Sequence, residues 1–87
     1  MLTGGQLRAA RALLNLDRAS LAELAGLSLP TIQRMEAAEG VVGGNVESLM
    51  KVVDALTKAG IELLGDDAVS QGGGRGVRLV KPGTSNR

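Results

Sequence analysis

The chain has 87 residues, enough for one small domain with a modest core. It has no Cys, His, Phe, Tyr or Trp, so disulfides, thiolate zinc sites, an imidazole base and aromatic platforms for single-stranded nucleic acid are excluded. A net charge of +1 hides an uneven distribution: residues 1–35 carry four arginines against two acids, residues 36–67 seven acids against two lysines, and the remainder four cations with no acid. This pattern either turns one positive face toward a polyanion or is ordinary solubility charge. No apolar run approaches membrane-spanning length and no signal-peptide core is evident. The expectation is therefore a soluble, cytoplasmic chain with no membrane partner.

The elements follow in chain order. Thr3 and Gln6 form a capping-box pair at the start of a first helix. Leu7, Ala10, Leu13 and Leu14 are its apolar stripe, Arg8 and Arg11 lie on a neighbouring face, and Asn15-Leu16 breaks it. Asp17 caps a second helix with Leu21, Leu24 and Ala25 inward, and Gly26 ends it. Ser28 caps a third, with Pro30 in its first turn, Ile32 and Met35 inward and Thr31, Gln33 and Arg34 outward; it runs over residues 29–37 and ends near Ala38.

A glycine-rich connection, Glu39 to Gly44, leads to a fourth helix capped by Asn45. Its predicted stripe is Val46, Leu49, Met50, Val53 and Leu56, and Gly60 ends it. Ile61–Leu64 and Gly76–Lys81 are strand candidates across a loop, with Arg78 outward and Pro82 as the stop. The Gly72–Gly76 stretch with Arg75 lacks the Lys-Ser/Thr ending and following helix of a nucleotide loop, so it is read as a hairpin loop. The predicted organisation is a domain over 1–60, a β-hairpin over 61–81 and a flexible tail over 82–87. The hairpin's face of Ile61, Leu63, Val77 and Leu79 is expected to pair with a second copy, making 61–81 the dimerisation element; the competing view is that it packs on the fourth helix within one subunit.

The stretch Asp17–Glu36 carries the functional signal. Two short helices meet across a glycine turn, Ala22 permits close approach, and Leu21, Leu27 and Ile32 fill the angle. That geometry lets a second helix enter a major groove while the first crosses the backbone, and it equally describes a tight helical hairpin in any all-α domain.

The polar cap Asp17, Leu21-Ala22, the turn Ala25-Gly26-Leu27-Ser28, Thr31-Ile32 and the closing Arg34-Met35-Glu36 resemble the phage-repressor and Cro-type (Xre-like) helix-turn-helix family, over about Leu7 to Leu56. The resemblance implies a mainly α, four-helix repressor-like domain with a C-terminal β-hairpin. It implies a bacterial, nucleoid-associated, sequence-specific regulator of double-stranded DNA, acting as a homodimer with the 29–37 helix in the major groove. The chain departs from the family in carrying a hairpin in place of a fifth helix, and Leu29-Pro30 where polar residues are common.

The site residues implied are Arg11, Arg18, Ser28, Leu29, Pro30, Thr31, Gln33 and Arg34. Arg18 would hold a phosphate, or is a solvated arginine at a helix start. Arg34 suits a bidentate guanine contact, or pairs with Glu23 or Glu36. Thr31 and Gln33 face the groove, although Gln33 is equally a surface residue or a phosphate ligand. Arg8 and Arg11 reach phosphates, or Arg11 pairs with an acid inside the fold. Glu36 resembles the family's structural acid. Leu29 and Pro30 touch a thymine methyl at most. The alternative function is an antitoxin or anti-activator of the same fold whose main partner is another protein. An enzyme, a cofactor and a metal are not expected, since no catalytic or ligating set is present.

Overall fold

A computed structural model of the protein describes residues 2–65 and 72–80. Four helices, α1 (Gly4–Leu14), α2 (Arg18–Ala25), α3 (Leu29–Glu36) and α4 (Val46–Lys58), precede an antiparallel pair of strands, β1 (Ile61–Leu64) and β2 (Gly76–Leu79). The expected tail 82–87, the stop at Pro82 and the 66–71 part of the hairpin loop lie outside the described residues.

Each helix starts where its sequence supplies an oxygen for the free N–H groups of its first turn. Thr3 Oγ1 accepts from the Gln6 N–H at 3.0 Å and Gln6 Oε1 accepts from the Thr3 N–H at 3.0 Å, completing the capping box. Asp17 Oδ1 accepts from the Ser20 N–H at 2.7 Å, Ser28 Oγ from the Thr31 N–H at 3.3 Å, and Asn45 Oδ1 from Glu47 and Ser48. Asn15 and Gly26 end α1 and α2 in the left-handed conformation, with φ of 60° and 71°. The third helix stops at Glu36, with Ala37 as its cap.

The core is aliphatic. Leu7 and Ala10 of α1, Leu21, Ala22 and Ala25 of α2, Ile32 and Met35 of α3, Leu49, Val52 and Leu56 of α4, and Ile61 of β1 are buried together with Leu2 and Val42. Burying each of the larger side chains is worth about 1.5–3 kcal/mol. Several expected core positions are instead exposed: Leu13, Leu24, Val46 and Met50. The reason is helical phase. In α2 the buried set is centred on Leu21, Ala22 and Ala25, which turns Leu24 to the flank. In α4 Val52, absent from the expected stripe, is buried, so the inward face is rotated toward Leu49–Val52–Leu56 and away from Val46 and Met50.

Further contacts fix the arrangement around α1. Its first residue sits against the last turn of α3. A Cβ on Gly4 would collide with the Ala38 carbonyl and lie 3.0 Å from that of Glu36. The Gly4 N–H donates to Gly40 O at 3.2 Å in the connection after α3, and the Arg8 guanidinium donates to Glu36 O in the last residue of α3. Leu2 O also accepts from the Val42 N–H at 2.8 Å.

The hairpin pairs Ile61 with Leu79 and Leu63 with Val77, which puts all four on one face, while Glu62 and Arg78 pair on the other at 3.1 Å. That apolar face packs on the protein's own core: Ile61 is buried and Leu63 and Val77 lie against it, with β2 on α1 and β1 on α4. The face expected to meet a second copy is therefore largely occupied within the subunit, and only Leu79 of the four is exposed. Gln6 locks the arrangement. Its Nε2 donates to Leu64 O at 3.0 Å and to Gly76 O at 2.8 Å, one carbonyl from each strand.

Candidate functional site

Helices α2 and α3 are joined by Gly26, Leu27 and Ser28. The Leu27 N–H donates to Ala22 O at 2.9 Å, closing α2 as the chain turns. Leu21 and Ile32 are fully buried between the elements and Leu27 is partly so. The small Ala22 faces inward and is buried, so no bulky side chain separates the packed helices. With Ile32 and Met35 committed to the core, helical phase turns Leu29, Pro30, Gln33 and Arg34 outward, and all four are exposed.

The outward side chains differ in what they offer. Gln33 has no side-chain partner, and Arg34 forms neither of the ion pairs weighed for it with Glu23 or Glu36 among the described residues. A Cβ on Gly44 would lie 3.4 Å from Arg34 Nη1, so the guanidinium rests beside the 43–45 segment. Ser28 Oγ and Thr31 Oγ1 are 2.9 Å apart and bond to each other at the start of α3. Chemically this face combines a charged bidentate donor, an amide that both donates and accepts, two hydroxyls and a small apolar tip.

Behind it lies a buried ionic cluster. Glu36, at 3% exposure, accepts from Arg11 Nε at 2.8 Å and from Arg18 Nε at 3.0 Å. Arg11 also donates to Leu16 O at 3.1 Å. Burial pushes the Glu36 carboxyl pKa up, but the hydrogen bonds and charges of the two arginines outweigh it and hold the value below the ordinary carboxylate range. One carboxylate between two guanidiniums leaves one net positive charge. Arg11 thus takes the intradomain role weighed for it, most of its side chain being covered. Arg18 does something not foreseen from the sequence: it is anchored through Nε, yet its side chain stays 48% exposed. Arg8, another phosphate candidate, is committed to the Glu36 carbonyl.

The structure therefore gathers Arg11 and Arg18 around Glu36, and places Ser28, Leu29, Pro30, Thr31, Gln33 and Arg34 along the first turns and outer face of α3. Gln6 was legible only as half of a capping box; nothing in local sequence signals that its amide ties down strands 58 and 70 residues away. Among the described residues no group of three or more acidic side chains is placed to hold a metal ion, and no helix is long and apolar enough to cross a membrane. No protein-family model matches the chain, and no curated protein matches it.

Proposed function

We propose that the protein is a sequence-specific regulator of double-stranded DNA, of the phage-repressor (Xre-like) helix-turn-helix type, acting as a homodimer. In this reading α3 enters the major groove and the start of α2 lies along the phosphate backbone. The observation that carries it is the outward face of α3. Gln33 and Arg34 are exposed, without intramolecular partners among the described residues, on the second of two short helices whose mutual angle is fixed by buried Leu21 and Ile32. A rigid support with uncommitted donors is what base-edge readout needs.

The remaining residues take distinct parts. Arg34 reaches O6 and N7 of a guanine. Gln33 contacts a base or a neighbouring phosphate. Leu29 and Pro30 meet a thymine methyl, and Ser28 and Thr31 lie near the backbone at the helix start. Arg18, anchored by Glu36, directs its two Nη groups to a phosphate. Since one recognition helix reads only a few base pairs, a second copy supplies the rest of the affinity.

Titration of labelled duplex DNA at several salt concentrations tests the class. The proposal expects binding whose log K falls linearly with log salt over several phosphate contacts. An absence of duplex binding at low salt would reject it.

A further inference from the structure

Helix α4 buries Leu49, Val52 and Leu56 and leaves a patterned surface outside. At 100° per residue, Glu47, Lys51, Asp54 and Lys58 fall on one line, alternating in sign, and all four are exposed. Val46 and Met50 run beside that line, 67% and 50% exposed, and Val53 continues the strip at the edge of the core. Asp54 pairs with Lys58 at 3.0 Å, whereas Glu47 and Lys51 have no side-chain partner among the described residues.

We infer that this face of α4 pairs with the same face of a second copy, antiparallel, about a two-fold axis beside the Val52–Val53 step. That rotation sets Glu47 opposite the partner's Lys58 and Lys51 opposite the partner's Asp54, and by symmetry each pair occurs twice. Sliding one helix by a turn opposes like charges instead, Glu47 against the partner's Asp54 or Lys51 against the partner's Lys58. A parallel pairing sets each charge beside its own copy. The same rotation sets Met50 beside the partner's Val53, twice by symmetry, with Val46 toward the ends of the contact, and Met adapts readily to such a seam. Exposed ion pairs contribute little singly, so here they select register while the apolar strip contributes the contact area. The hairpin's apolar face is largely occupied by the core, with only Leu79 of its four residues exposed, whereas the outer face of α4 is unoccupied among the described residues. This deepens the homodimer part of the proposed function, and its test needs no DNA, so its failure leaves the DNA-binding reading standing.

The test is sedimentation equilibrium of the full chain, wild type beside Lys51→Glu and the charge-swapped Lys51→Glu/Asp54→Lys, with circular dichroism to verify that the surface changes leave the fold intact. The single variant sets like charges against each other twice and should weaken the dimer about tenfold or more. The swapped variant restores both pairs and should dimerise as the wild type does. A monomeric wild type, an undiminished dimer in Lys51→Glu, or a swap that fails to restore association would each overturn the inference.

Discussion

Arg18 donates through Nε to Glu36 Oε1 over 3.0 Å, a half-exposed guanidinium held by an almost fully buried carboxylate. Only one edge of the guanidinium is used, and its Nη groups donate to nothing among the described residues. An arginine anchored in this way has lost much of its rotamer freedom before it meets a ligand, which reduces the entropic cost of contact. The ion pair and the proposed phosphate contact are compatible, because they employ different donors of one side chain.

Arg18→Ala should therefore weaken binding to every duplex by about the same factor, and the slope of log K against log salt should fall by about one unit. Salt titrations of the variant on two unrelated duplexes check both parts. An unchanged slope would remove Arg18 from the interface and leave it a purely internal ligand of Glu36.

Glu36 makes stability depend on pH in a defined direction. Its folded-state pKa lies below the ordinary carboxylate value, so the unfolded chain takes up the proton more readily. The stabilisation is complete above the unfolded value and is lost as pH falls through the lowered folded one. Asp17, lowered mainly by the Ser20 N–H bond, acts in the same sense. Glu36→Gln should cost about 2–3 kcal/mol at neutral pH, less than for a fully buried pair because Arg18 is half-exposed. Urea denaturation between about pH 3 and 7 should show a shallower acid loss in the variant than in the wild type. Parallel curves would mean that the cluster does not titrate with folding.

Gln6 joins the start of α1 to both strands of the hairpin. Gln6→Glu would turn an acceptor toward the Leu64 and Gly76 carbonyls that now receive hydrogen bonds at 3.0 and 2.8 Å. A loss of about 2–4 kcal/mol is expected from two orphaned acceptors beside a buried carboxylate. Chemical denaturation measures it, and a loss below about 1 kcal/mol would show that the hairpin's docking does not depend on this amide.

Much of this architecture is written locally. Thr3, Asp17, Ser28 and Asn45 mark helix starts because a short side-chain oxygen must reach an N–H two or three residues on. Gly26 and Asn15 mark ends because they tolerate positive φ. The antiparallel strands and the shared face of Ile61, Leu63, Val77 and Leu79 follow from period-two patterning. Phase was less legible: Val46, Leu49, Met50, Val52, Val53 and Leu56 are apolar all round one half of α4, so the sequence permits several inward faces and only packing chooses among them. Long-range polar commitments were least legible. That Arg8 would satisfy a carbonyl of α3, that Arg18 would share Glu36 with Arg11, and that Gln6 would hold the hairpin depend on distances between elements, which no local spacing encodes. On the outer face of α3 the sequence determined which side chains point outward, but the absence of partners for Gln33 and Arg34 required the surrounding elements to be in place.

The central claim is that the outer face of α3 reads base edges, and selection of bound duplexes from a random pool, sequenced for the wild type and for Arg34→Ala, tests it most directly. The account predicts one enriched motif of two half-sites for the wild type, and for Arg34→Ala the same motif with discrimination relaxed at one base position by about 1–3 kcal/mol. A wild-type pool that shows no enrichment, or an Arg34→Ala motif identical to that of the wild type, would contradict it.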